Sequence, residues 1–398
     1  MSFDLKTRFI EIKTFLSQYQ EVHSLEFLKK YPTSYPGFMQ EWLLEMRSWD
    51  DEKLSKLESG PHEDLVLNQE FKAYLKTIRL LSTIPLANFT STALPKEITN
   101  GLNKKKIHEL SLLKSKLNES SSNLIVDIGG GIGHTSLMAV HGTKKRSVCI
   151  DQDLTLLEKG RLKLQRMESL KDTQVVFQNL NVDSSSDLHE SSEKLLVGLH
   201  SCGDLSTHIL RAFKKNPHEL ILFGCCYHKI IDGLYLSQES LTNKLELTTN
   251  ALHLASRSAK KITAEDIIKR KNFKRHRYSL HYFMFDRFKK PFMPLGNTAP
   301  KLYQAAFSVY AKSIDAYSEL KDIPALDLED FYAHERTNAL FKDNFNADVI
   351  RLLLGRLIEL YIILDRAIYL EEQGLKVKIS EVFDRSLSPR NIMLEASR

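Results

Sequence analysis

The sequence predicts an α/β fold: a parallel sheet with helices on its faces, closed by an antiparallel hairpin. Three observations carry this. From residue 124 onward, short apolar runs (LIVDI, SVCID, QVVF, LLVGLH, ELILFGC) alternate with helix-like stretches such as LTLLEKGRLKLQRM and LSTHILRAF. That alternation builds parallel sheets. A glycine cluster, GGGIG at 129–133, follows the first apolar run directly. Near the C-terminus a long helical pattern leads into KVKISEVFD and RNIMLEAS, two strand-like runs with SLSP between them as a turn.

The elements before the sheet read as helices. Phe9, Ile12, Phe15, Leu16 and Tyr19 fall at helical spacing. YPTSYPG at 31–37 breaks the pattern, FMQEWLLEMRSW resumes it, and FKAYLKTIRLL runs on towards Pro85. Trp42 and Trp49 are expected in a core. GLNKKKIHELSLLKSKL is an amphipathic helix with Asn103 as its N-cap. DVIRLLLGRLIELYIILDRAIYLEEQG reads as one long helix closed by Gly374. The expected layout is an N-terminal helical region over 1–98, a sheet core over 99–231 and 346–398, and a mostly helical insertion over 232–345.

Bulk properties exclude several classes. The 398 residues are 42% hydrophobic and 27% charged, which suits a globular protein. Four cysteines are too few for a disulfide framework. MSFDLKTRFIEIK lacks a signal peptide's apolar core, and Glu359, Asp365 and Arg366 interrupt the longest apolar stretch. The expectation is a cytoplasmic or nuclear protein with reduced thiols and no membrane partner. The net charge, 56 − 50 = +6, does not by itself imply nucleic acid.

In VDIGGGIGHT, Gly129, Gly131 and Gly133 form G-x-G-x-G immediately after a strand, where a backbone must turn tightly beneath a ligand. Asp151 ends the next strand, 22 residues after Gly129, the place for an acid on a ribose. Asp127 precedes the glycines, and His134 stands where a dinucleotide fold would have its third glycine. These features favour S-adenosyl-L-methionine over NAD(P). Asn181, with Asp183 as its competitor, is expected toward the adenine. Lys105 and His108 share one face of the KKKIHE helix, which is expected to close over the methionine end of the cofactor, with Lys105 or Lys106 near its carboxylate.

HSCGD and GCCYH end the fourth and fifth strands, so His200, Cys202, Asp204, Cys225, Cys226 and His228 are expected at one crevice. One cysteine pair is adjacent and the others are single, which is not zinc spacing; no metal is expected. His200 and His228 are the candidate bases. Cys202 and Cys226 are candidate catalytic thiols, with packing as small hydrophobes the favoured alternative.

The stretches GLNKKKIHEL, VDIGGGIGH, VGLHSCGDLS, GCCYHKI, ILDRAIYLEEQG and VFDRSLSPRN, in this order, resemble the methyltransferase-like 25 family, from about residue 30 to the end. That family includes proteins labelled as ribosomal RNA adenine dimethylase domain-containing. The resemblance implies a class I methyltransferase (Rossmann-like) seven-stranded sheet. KKKIHE, LHSCGD and CCYH are more distantly similar to a eukaryotic tRNA 2′-O-methyltransferase family, which points towards RNA.

Between Arg257 and Arg277 stand nine Lys or Arg, opposed by Glu265 and Asp266 alone. They are a candidate phosphate-binding patch, with a solvated helix face as the alternative. No Asn-Pro-Pro-aromatic tetrapeptide or paired-glutamate loop follows the fourth strand. The functional expectation is methyl transfer to RNA, with a protein acceptor, or an interaction module that has lost catalysis, as alternatives.

Overall fold

The computed structural model describes residues 3–171, 173–183, 185, 186, 188, 193–215, 218–257, 261–296 and 298–398. Seven strands form one sheet: β1 (Leu124–Ile128), β2 (Arg146–Asp151), β3 (Val175–Asn179), β4 (Lys194–Cys202), β5 (Glu219–Cys225), β6 (Lys376–Glu381) and β7 (Ile392–Ser397). Their order is β3-β2-β1-β4-β5-β7-β6. The first five pair in parallel, and β7 runs antiparallel to both β5 and β6.

Every residue of β1 is buried, as expected of a central strand covered on both faces. Leu113, Leu117, Ile125, Leu137, Val197, Ile221 and Phe223 belong to one core cluster beside it. The chain order reverses between β1 and β4, and in open α/β sheets ligands bind beyond the carboxyl ends of the strands at such a switch point. The glycine turn leaves β1 there, and HSCGD leaves β4.

The chain divides into two compact units, one of residues 1–18, 81–260 and 355–398, the other of 19–80 and 261–354. These boundaries differ from the expected ones. Helix Leu5–Gln18 belongs to the sheet unit, where Phe9 stacks on Tyr361 at 4.7 Å between ring centroids. Helix Thr249–Arg257 also packs there, against helix Gly355–Glu371. The N-terminal region and the insertion therefore each contribute to both units, because apolar faces choose partners by burial and not by position in the chain.

The second unit contains helices Gly37–Met46, Asp51–Ser59, Ala264–Phe288 and Glu335–Leu352. Trp42 and Trp49 are buried, and Trp42 stacks on Phe71 at 4.6 Å. The expected single C-terminal helix is two, Glu335–Leu352 and Gly355–Glu371. Leu354 N–H turns back to the Arg351 carbonyl at the break, just before Gly355, a poor residue inside a helix. No helix is long and apolar enough to cross a membrane among the described residues.

Candidate active site

A cavity of about 500 Å³ opens at the carboxyl ends of β1, β2 and β4, within the range of small-molecule sites. Gly129, Asp151, Asn181, Asp183, His200, Cys202, Asp204, His208 and Lys229 are among the residues that line it. Its floor is the glycine turn. Gly129, Gly131 and Gly133 have φ of 70°, 58° and 79°, a region that side chains disfavour. A Cβ on Gly130 would lie 2.6 Å from Cys149 Sγ and 2.7 Å from Asp127 Oδ2.

Asp127 therefore acts beneath the turn and does not line the cavity. Its Oδ2 accepts from Ser136 N–H at 3.2 Å and Ser136 Oγ–H at 3.1 Å, fixing the start of helix His134–Val140. Burial pushes its carboxyl up to about 6, against the pull of Lys106 and Ser136. Asp151 does line the cavity. Its Oδ2 accepts from Gly131 N–H at 2.8 Å and its Oδ1 from Asp153 N–H at 2.9 Å, so one carboxylate ties the turn to the end of β2. Asp183 Oδ1 accepts from the backbone and hydroxyl groups of Ser185 and Ser186, which, led by the Ser185 hydroxyl, hold its carboxyl down at about 2. Asn181 shares the wall with it.

The acceptor side centres on a residue the sequence reading did not single out. Glu109, buried in helix Lys104–Glu119, lies 2.8 Å from His200 Nε2 through Oε1, which also accepts from Ser388 Oγ–H at 2.6 Å. Lys105 Nζ is 3.6 Å from the same oxygen. Burial alone would raise the Glu109 carboxyl; the His200 hydrogen bond and charge, Ser388 and Lys105 outweigh it and hold it down at about 2. An ionised Glu109 accepts, so Nε2 carries the hydrogen and Nδ1 is left to take a proton. The signal for Glu109 was available in the sequence: an acid one turn before Leu113, on the apolar side of an amphipathic helix.

His200 sits where the pairing of β4 with β5 slips, between Leu199 and Ser201, and has φ of 65°. A side chain in that region is strained, and strain of this kind collects at functional sites.

Several other expected site residues do not line the cavity. His108 Nε2 accepts from Asp384 N–H at 3.0 Å, and its ring meets Phe383 edge-on; it fastens the β6–β7 connection and does not line the cavity. His228 stacks on His253 at 4.2 Å and shares a 3.0 Å hydrogen bond with Ser256, also off the cavity wall, because helix Thr249–Arg257 packs beside it. Lys105 reaches Glu109, whereas Lys106 is the amine within electrostatic reach of both Glu109 and Asp127. Cys202 lines the cavity; Cys226 follows it at 3.5 Å between sulfurs without lining the wall.

The basic stretch is mostly internal to the second unit. Of its members, Lys260 lies outside the described residues. Arg270 pairs with Glu58, Lys271 with Asp51 and Lys274 with Asp348, while Arg275 donates to Asn338 Oδ1 at 2.6 Å and Arg277 to the Gly296 carbonyl at 3.2 Å. Lys269 is exposed and pairs with Glu265 at 2.6 Å. These pairings tie helices of the second unit together, while Arg257, Lys261 and Lys269 are exposed.

Residues 104–232 match the family model of a methyltransferase domain. Among solved structures, the chain is matched to a coclaurine N-methyltransferase bound to N-methylheliamine and SAH, at 10% identity over 99% of this chain and 94% of that one, with a TM-score of 0.29. The fold assignment rests on the strand order and on the matched domain, which contains the glycine turn, Asp151, His200 and both ends of β4 and β5. Residues 104–232 form a class I methyltransferase domain, for which S-adenosyl-L-methionine is the methyl donor.

Proposed function

We propose that the chain methylates a hydroxyl or amine whose proton is taken by His200, with Glu109 holding the imidazole in place. One observation carries this reading: the 2.8 Å contact between His200 Nε2 and a buried carboxylate, on a histidine that also lines the donor cavity. The residues around the cavity fit the donor. Gly129 and Gly131 would let it approach the backbone, Asp151 would accept from its ribose, and Asn181 would meet its base. S-adenosylmethionine supplies an electrophilic methyl on a sulfonium.

The remaining work falls to the protein. As the acceptor's oxygen or nitrogen bonds to the methyl and the methyl–sulfur bond breaks, His200 Nδ1 receives the acceptor's proton. Glu109 keeps Nε2 protonated and stabilises the imidazolium, the division of labour of a base and its orienting acid. An acceptor that needs no proton removed would make this pair superfluous.

RNA is the acceptor class to test first, on the motif resemblance and on Lys229 at the cavity wall. The stretch at 257–277 adds little to that, since most of its described charges are paired. Membership of the methyltransferase-like 25 family rests on the same motifs. The test is transfer of a tritiated methyl group into extract from cells lacking the protein, separated into RNA and protein. Label in either fraction, lost with His200→Asn while calorimetry shows donor binding intact, supports the reading. Transfer at the parental rate by His200→Asn would sink it, and donor binding with no transfer to any fraction favours the interaction module.

A further inference from the structure

Cys202 ends β4, and Cys225, its direct partner in the parallel register, ends β5. Cys226 follows with φ of 49°. The three sulfurs lie within 4.8 Å of one another, with Cys202 Sγ 2.7 Å from Cys225 Sγ and 3.5 Å from Cys226 Sγ. No other group of three His, Cys, Asp or Glu side chains is gathered closely enough to hold a metal among the described residues. Sequence spacing argued against such a site, but spacing speaks only to ligands within one loop. Here two strands 23 residues apart deliver them by register.

We propose that Cys202, Cys225 and Cys226 bind a soft divalent ion of the zinc class through three thiolates, leaving a fourth position facing the donor cavity. Tetrahedral coordination at a metal–sulfur distance of about 2.3 Å needs sulfurs roughly 3.8 Å apart, inside the spread found here. Cys225 is buried and Cys226 half-buried, so two ligands are anchored by the fold. Cys202 is exposed and lines the cavity, so an ion can enter and the open coordination position has somewhere to point.

Lys229 lines the same cavity as Cys202, so a cation stands beside the cluster to offset the charge of three thiolates. The loop is held by Gly203 N–H on the Cys225 carbonyl at 3.2 Å and by Asp204 Oδ1, which accepts from Ile231 N–H and Asp232 N–H at 2.9 and 3.0 Å. On binding, each thiol releases its proton to water as its sulfur bonds the ion, and nothing is oxidised or reduced.

The test uses the full chain, stripped of metal and kept reduced with a phosphine, and titrated with Zn(II) by calorimetry and with Cd(II) by its thiolate charge-transfer absorption. The expected result is one ion per chain, proton release on binding, and an affinity that falls by about 100-fold or more in Cys202→Ser and Cys226→Ser. Cys149→Ser, at a sulfur outside the cluster, should bind as the parent does. Sub-stoichiometric binding, or binding that Cys202→Ser leaves unchanged, overturns the proposal. So does a reduced protein that takes up no ion while mild peroxide converts Cys202 and Cys225 to a disulfide, which would make the cluster a redox pair. Cys202 is exposed, so its substitution does not disturb the packed strand end, and circular dichroism confirms that the variant is folded. The site stands independently of the acceptor chemistry proposed above.

Discussion

The floor of the cavity and its acceptor rim both bend the chain into the left-handed region, with opposite choices of residue. On the floor the bent positions are Gly129, Gly131 and Gly133, where a side chain would be strained and, at Gly133, would meet the Phe177 ring. On the rim His200 and Cys226 are bent in the same way, beside one glycine, Gly203. A residue with a Cβ costs about 1–2 kcal/mol there, which glycine would avoid. The floor needs bare backbone under a ligand. The rim accepts strain to keep an imidazole and a thiol at the ends of β4 and β5, so its chemistry resides in side chains.

If that contrast is sound, the largest effect belongs to the rim. Glu109→Gln and His200→Asn should each lower the transfer rate by roughly 10²–10⁴, with donor affinity unchanged by calorimetry. The Glu109 carboxyl is depressed from its ordinary 4.5 to about 2 in the fold. The stability it contributes is therefore complete above about 4.5 and is lost as pH falls towards 2. Acid unfolding followed by circular dichroism should be flatter across that window in Glu109→Gln, and an unaltered acid limb would show that the carboxylate is not held as described.

Arg270→Ala, in the other unit, is the control outside the cavity. It leaves the half-buried Glu58 without its partner and should cost about 1–3 kcal/mol by chemical denaturation, with no change in donor affinity. A change in salt-dependent RNA binding without loss of stability would instead restore the phosphate-patch reading of that helix.

On the floor, Asp151→Ala should weaken donor binding by about 1–3 kcal/mol, since it removes an acceptor and frees the Gly131 N–H together. The smallest effect is the sharpest probe of the contrast. Cys226→Gly should raise stability by about 0.5–1 kcal/mol while abolishing metal uptake, because it relieves the left-handed strain and removes the thiol. A loss of stability would mean that Cys226 is kept for packing.

Much of the fold was legible from local patterns. The alternating runs, the glycine cluster and the terminal hairpin each express a demand that neighbouring residues place on their own backbone. Asn103 is one example: its side chain accepts from Lys106 N–H at 2.9 Å, as its place before an amphipathic run implies. The donor floor was legible for the same reason, since a tight turn and the acid after the next strand are short-range features. The domain limits were not, because Leu5–Gln18 and Thr249–Arg257 bury their apolar faces against a helix far along the chain.

The rim shows where local reading stops. That His200 and His228 would end adjacent strands follows from the chain, but which of them meets a carboxylate depends on packing. Glu109 lies 91 residues before His200 and 279 before Ser388, and only the closed sheet brings the three together. The basic stretch shows the same limit: a sequence counts cations without showing that Glu58, Asp51 and Asp348 already face three of them. Backbone conformation is set within a few residues and can be read there. Charge pairing and ligand sets depend on distances across the fold, and these exist only once burial has chosen which surfaces meet.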